Sequence, residues 1–285
     1  MEEATKKAQT LIEAMPYILN FKDKFVVVKY GGSVMREPRL ARSILEDIVF
    51  MSAVGIRVIL IHGGGPRISE ALATKEIKTR FLEGLRYTDA ETIAVIKETL
   101  LSVNQELIYL ITELGGKAKG VFPEDRTLGA VKFSPTEANL GLVGEIKEIN
   151  TSFFEETCRT GIIPVVIPLA FGADGLLYNI NADAAASKIA VGLSAEKLVF
   201  LTDQAGIMRD RSNEESLISI LRPSQAKALV EEEIITAGML PKVRAGLFAM
   251  ENGVAKVHLV GGHIPHTLLL EIFTSQGVGT EIVPE

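Results

Sequence analysis

Apolar residues recur along this chain in two alternating rhythms. Short runs of aliphatic and β-branched residues at 25–30, 56–61, 163–168, 197–201 and 255–260 predict strands. Between them, apolar side chains return every three or four positions, predicting helices near 38–54, 67–75, 89–113, 151–160, 182–192, 223–234, 241–252 and 265–273. That alternation implies an α/β fold, a central mostly parallel sheet flanked by helices on both faces. The stretch 116–149 breaks the rhythm: short β-like pieces separated by Gly116, Gly120, Gly129, Gly141 and Gly144 predict hairpins at one end of the sheet. A second hairpin-like insertion is expected at about 207–220. Ahead of the first strand, Ala8, Leu11, Ile12, Met15, Ile18 and Leu19 mark an amphipathic N-terminal helix, kinked at Pro16. Periodicity alone favours its packing on the chain's own body. A weak boundary near 192–195 divides the chain into segments 1–22, 23–193 and 194–285.

The chain has 285 residues, of which 47% are hydrophobic and 23% charged, enough to bury a core and too apolar for large-scale disorder. A net charge of −6 speaks against broad nucleic-acid or anionic-membrane binding but leaves room for a local basic pocket. Cys158 is the single cysteine, so no internal disulfide forms, and a reducing cytoplasm fits best. Glu2, Glu3, Lys6, Lys7 and Glu13 break up any apolar leader, and the uncharged stretch 161–173 is too short and too rich in Pro and Gly to span a bilayer.

Chemistry enters with two glycine-rich loops, each behind a strand-like run. Lys29-Tyr30-Gly31-Gly32-Ser33 follows the first strand, and His62-Gly63-Gly64-Gly65-Pro66 follows the second. Glycine lets backbone N–H groups approach an anion, and a helix start behind the loop adds partial positive charge. Neither loop has the G-x-G-x-x-G spacing of a dinucleotide site, and the G-x-x-x-x-G-K-[ST] phosphate loop is absent. An esterase would need a G-x-S-x-G elbow, which Gly31-Gly32-Ser33-Val34-Met35 does not complete. For either loop alone, structural glycines at tight turns are the simpler reading. Three further pieces change the balance. Gly84-Leu85-Arg86-Tyr87-Thr88-Asp89 sets an arginine, the natural fork for a carboxylate, just before a long helix capped by Thr88 or Asp89. Asn179-Ile180-Asn181-Ala182-Asp183 alternates polar groups before a helix that Asp183 could simply cap. Gly238-Met239-Leu240-Pro241-Lys242 places a cation at a helix start, where the dipole disfavours it, so an anion is expected nearby.

In this order, and with Leu201-Thr202-Asp203, these motifs resemble the amino acid kinase family over nearly the whole chain. Within it the Gly-Leu-Arg-Tyr-Thr-Asp run is most similar to members that phosphorylate the side-chain carboxylate of N-acetyl-L-glutamate in arginine biosynthesis. The resemblance implies ATP as co-substrate with Mg²⁺, held by phosphates and water, and no metal ligands on the protein. It implies Lys29 and Lys242 beside the phosphoryl in flight, Asp183 orienting both, and the amides of Gly32 and Gly64 on its oxygens. Gly63, Gly64, Gly65, Arg86, Asn179 and Asn181 would hold the acceptor, on the 23–193 lobe. Gly31, Gly32, Thr202, Asp203, Gly206 and Lys242 would hold ATP, mainly on the 194–285 lobe.

Both ends resemble the arginine-inhibited members: Met15-Pro16-Tyr17-Ile18 at the front, His266–Phe273 and Gly277-Val278-Gly279-Thr280 at the back. That implies a homo-hexamer, a trimer of dimers joined through helix 1–22, and L-arginine bound by Tyr17, Lys197, His266, Glu271 and Gly277. Whether a PII-type signalling protein binds is left open by the sequence. Two other readings stay open: a kinase of carrier-protein-linked aminoadipate or glutamate in lysine biosynthesis, and a non-catalytic amino-acid sensor of the same fold.

Overall fold

The computed structural model describes residues 2–31, 35, 37–82, 84–133, 139–210, 212–236, 238–274 and 277–285. Among these residues the elements run α1 (Glu2–Phe21), β1 (Phe25–Tyr30), α2 (Pro38–Ala53), β2 (Arg57–His62), α3 (Gly65–Thr74), β3 (Phe81–Leu82), β4 (Leu85–Arg86), α4 (Ala90–Glu113) and β5 (Lys117–Val121). There follow β6 (Leu128–Lys132), β7 (Val143–Ile149), α5 (Thr151–Arg159), β8 (Ile162–Val166), β9 (Leu169–Gly172), β10 (Leu177–Ile180), α6 (Ala182–Gly192) and β11 (Lys197–Thr202). The chain closes with β12 (Ile220–Leu221), α7 (Pro223–Glu231), α8 (Leu240–Glu251), β13 (Lys256–Gly261), α9 (Thr267–Phe273) and β14 (Thr280–Ile282).

Eight strands form one sheet in the order β12-β14-β13-β11-β1-β2-β8-β5, parallel except where β14 runs against β13. Period-2 alternation sends the strand side chains into two cores. Val27, Ile59, Ile61, Leu198, Phe200 and Leu259 face α6 and α8. Val26, Val28, Val58, Leu60, Val199 and Val260 face α2, α4 and α9. Helices α2, α3, α7 and α8 each carry proline in the first turn, where its missing N–H costs nothing and its fixed φ suits a helix.

One expectation is corrected here. The stretch 117–121 is not part of a hairpin: β5 is the parallel edge of the main sheet, paired with β8. Gly120 is there for packing, because a Cβ would lie 2.3 Å from Phe122 Cζ. Downstream, β6 and β7 do form an antiparallel hairpin, and with β9 and β10 they close a four-stranded barrel. The boundary at 192–195 falls at the end of α6, and the large sheet runs across it through the β1–β11 pairing. Helix α1 contains Pro16 and packs at its C-terminal end, where the Phe21 ring meets Phe273 edge-on. Its Leu11, Ile12, Met15 and Leu19 remain exposed. No helix among the described residues is long and apolar enough to cross a membrane.

Candidate active site

Strand β1 is central in the sheet. The chain builds outward from it through β2, then later returns to its other side with β11 and β13. Ligands of open α/β sheets bind at such a reversal, beyond the carboxyl ends of the strands. Both glycine loops lie there, since Tyr30 and His62 are register partners at the ends of β1 and β2. The two loops nearly touch: a Cβ on Gly31 would sit 3.2 Å from Lys29 Nζ and 3.3 Å from Gly63 N, so a side chain there would crowd both.

At this point three charges converge. Lys29 Nζ lies 3.1 Å from Asp183 Oδ1, and Lys242 Nζ donates to Asp183 Oδ2 at 3.0 Å. Lys29 comes from β1, Asp183 from the first turn of α6 and Lys242 from the first turn of α8. The Lys29–Asp183 approach is an ion pair between two buried side chains. Burial alone would raise the Asp183 carboxyl, but the Lys29 and Lys242 charges outweigh it and hold the group below the usual range. Burial lowers Lys29, with the Asp183 charge opposing and Lys242 adding repulsion. Asp183 does not cap its helix. Asn181 does, its Oδ1 accepting from the N–H groups of Asp183 at 2.9 Å and Ala184 at 3.0 Å.

The triad stands between two clefts. One, of about 270 Å³, is lined by Lys29, Gly63, Gly64, Gly65, Arg86, Asn179, Asn181 and Asp183, with apolar walls from Ile68, Phe81 and Val143. The other, of about 350 Å³, is lined by Lys29, Gly31, Thr202, Asp203, Gln204, Gly238 and Lys242. Lys29 reaches both. In the first cleft Arg86 is 8% exposed and donates to Thr79 Oγ1 (3.2 Å), Ser69 Oγ (2.8 Å) and the Gly65 carbonyl (3.3 Å), with Phe81 stacked on its guanidinium. Among the described residues it has no carboxylate partner, so the pocket carries an unneutralised buried cation. Burial accordingly lowers its pKa. Asp89, not Thr88, caps α4 by accepting from Thr92 N at 2.8 Å. Thr88 instead accepts from Asn179 Nδ2 at 3.1 Å and so positions it.

Not every predicted residue joins these clefts. Gly206 lines neither; it packs under Thr280, whose Oγ1 would lie 2.6 Å from an added Cβ. Gly32 lies outside the described residues. Gln204 lines the second cleft and was missed, as it carried no motif signal beyond its neighbour Asp203. Among the described residues no group of His, Cys, Asp and Glu is arranged to hold a metal ion, and both Asp183 oxygens face ammonium groups.

A third cavity, of about 340 Å³, lies between α1 and the β13–α9–β14 region, lined among others by Tyr17, Lys197, Glu271 and Gly277. His266 is not in it. Its Nδ1 pairs with buried Asp47 Oδ1 at 2.7 Å, and it lines a separate groove under α1. The histidine in the cavity is His258, which links Glu271 Oε1 (2.7 Å) to Lys197 Nζ (2.9 Å). A histidine in the middle of an otherwise apolar strand was the available signal.

The model of the amino acid kinase family matches residues 24–261. The chain belongs to that family of phosphotransferases. The acetylglutamate kinase of Halothermothrix orenii is 46% identical over 289 residues, covering 100% of both chains. Among solved structures, N-acetylglutamate synthase from Neisseria gonorrhoeae with coenzyme A and N-acetylglutamate superposes with a TM-score of 0.86 at 26% identity. The match covers 98% of this chain and 63% of that one. The same synthase with coenzyme A and L-arginine gives 0.82 at 25%, covering 96% and 64%.

Proposed function

We propose that the chain transfers the γ-phosphoryl of MgATP to the side-chain carboxylate of N-acetyl-L-glutamate, forming an acyl phosphate. The observation that carries this is the Lys29–Asp183–Lys242 triad standing between two clefts, one of them holding a buried arginine that has no carboxylate partner among the described residues. A carboxylate attacking a triphosphate brings like charges together, so catalysis must consist of alignment and neutralisation. Two ammonium groups, Lys29 reaching both clefts and Lys242 lining the second, supply the neutralisation. Each is worth a few kcal/mol at an effective dielectric of about 20.

Arg86 receives the acceptor's α-carboxylate in a two-pronged pair, and Asn179, held by Thr88, positions the same ligand. The apolar walls from Ile68, Phe81 and Val143 suit an acetyl group better than a free ammonium. The acceptor's reacting carboxylate is already ionised, so no base is needed, and Asp183 orients the two lysines. The nucleotide lies across Gly31, Thr202, Asp203 and Gln204, so the two clefts correspond to an acceptor lobe and a nucleotide lobe. The single thiol, buried Cys158, suits a cytoplasmic setting.

The reading extends to regulation. L-arginine fits the third cavity, with its guanidinium on Glu271 and Tyr17 supplied by α1, and the exposed stripe of α1 suits burial in a hexamer. The similarity to a synthase solved with L-arginine supports arginine as the effector. An assay of ADP release with hydroxylamine trapping, run on N-acetylglutamate, free glutamate and aspartate with and without arginine, tests the whole reading. Turnover on the N-acetylated acid alone, reduced by arginine, is the expected result. Preference for a free amino acid, or no turnover on any acceptor, refutes it.

A further inference from the structure

His62 ends β2, is wholly buried and lines neither active-site cleft, yet it is hydrogen-bonded through both ring nitrogens. Its surroundings determine which nitrogen carries the proton. Asn104 Nδ2 lies 2.9 Å from the Val165 carbonyl, which can only accept, so the amide nitrogen and not the amide oxygen faces that way. The same nitrogen lies 3.1 Å from His62 Nε2, which must therefore accept as well. The proton is left on Nδ1, which donates to the Gly63 carbonyl at 3.1 Å. Burial holds the imidazole neutral, with its pKa down at about 4, so this pattern persists through neutral pH.

The bond matters because of where Gly63 sits. Its N–H donates to the Tyr30 carbonyl at 2.8 Å, so with its own carbonyl taken by His62 the residue is pinned at both ends. A trans peptide is planar, and its C=O and N–H point in opposite directions. Fixing the Gly63 carbonyl toward His62 therefore fixes the Gly64 N–H in the opposite direction, and Gly64 itself lines the first cleft. A Gly-Gly peptide is otherwise free to swing, and an amide that swings is a poor oxyanion donor. Gly64 caps α3, so its amide acts with the first free N–H groups of that helix.

We propose that His62, locked as the Nδ1–H tautomer by Asn104 and the Val165 carbonyl, is a positioning residue that aims the Gly64 amide at the group in transfer. The proposal rests on the phosphoryl-transfer reading of the cleft. It deepens that reading by assigning the histidine of the second glycine loop a role at one remove from substrate.

Histidine isosteres separate the two bonds. His62→Asn keeps a donor near the Nδ1 position, while His62→Gln keeps a group near Nε2 and loses the bond to Gly63. His62→Gln and His62→Leu should lower kcat about 100-fold with the acceptor KM within about threefold, the signature of a lost transition-state donor. His62→Asn should recover kcat to within about fivefold of wild type. Asn104→Leu removes the lock without touching the loop and should cost about tenfold in kcat. Equal impairment of His62→Asn and His62→Leu, or a wild-type kcat in His62→Leu, overturns the proposal. A readout free of turnover is the ¹⁵N spectrum of the imidazole in the resting protein. Nδ1 should be protonated and Nε2 bare in wild type, with that preference lost in Asn104→Leu; a wild-type Nε2–H tautomer overturns the proposal even if a variant will not fold. Should wild type fail to phosphorylate N-acetylglutamate, the functional reading falls, while the spectrum still decides whether His62 holds the loop.

Discussion

Lys242 donates to Asp183 Oδ2 at 3.0 Å from the first turn of α8, where the helix dipole opposes a cation. The pairing explains why a lysine is tolerated there: the anion sits on the facing first turn of α6, where the dipole favours it. Removing that anion would leave two ammonium groups repelling each other in a buried site. Asp183→Ala is expected to lose about 3 kcal/mol of stability and at least 100-fold in turnover. Urea denaturation and steady-state kinetics check it, and a fully stable variant would show that Asp183 does not hold the pair.

Arg86 separates binding from chemistry. Its guanidinium is held by Thr79, Ser69 and the Gly65 carbonyl and makes no hydrogen bond to Lys29, Asp183 or Lys242. Arg86→Ala should therefore raise the KM for the acceptor about 100-fold and change kcat less than tenfold. Arg86→Lys should recover only part of the loss, because an ammonium cannot form the two-pronged pair. A fall in kcat at constant KM would move Arg86 into the transfer step.

Gly64 is demanded by packing and not by backbone strain. Its φ of −162° is open to any residue, but an added Cβ would lie 2.7 Å from Cδ2 of buried Leu100. Gly64→Ala should cost about 1–3 kcal/mol, and distinctly less in a Leu100→Val background, since the shorter side chain makes room. Equal costs in both backgrounds would place the clash elsewhere.

Acid should expose His62. An unfolded histidine takes up a proton near pH 6.5, whereas burial holds this one down at about 4. Between those values the unfolded state binds the extra proton, so stability falls as pH drops from about 6.5 to about 4, by roughly 3 kcal/mol in all. The His62→Asn variant should lose that portion of the pH dependence in urea melts at pH 4.5 and 7. Identical slopes for variant and wild type would contradict the assignment.

Much of this was legible because the relevant signals were local. A lysine in an apolar strand, glycines behind two strand ends and an arginine before a long helix all keep their meaning in a short window. β5 was read as hairpin because Gly116 and Gly120 look like turns, when Gly120 in fact makes room for the Phe122 ring. β14, three residues long, owes its place to pairing with β13 and carries little pattern of its own. The Asn104–His62 link spans 42 residues, and only the sheet brings its ends together. Its trace was nonetheless present, an asparagine on the apolar stripe of α4 between Leu100 and Leu107. His258 and Glu271 are another such pair, joined by the β13–α9 turn, whereas His266 was drawn away by its bond to Asp47.

The most direct test is a crystal structure with MgADP, aluminium fluoride and N-acetylglutamate, which captures the planar group between donor and acceptor. The account predicts both Lys29 and Lys242 ammonium nitrogens within about 3 Å of the fluoride ligands, with the Gly64 amide aimed at the same group. A fluoride bound with either ammonium more than about 6 Å away, still turned toward Asp183 alone, would contradict it.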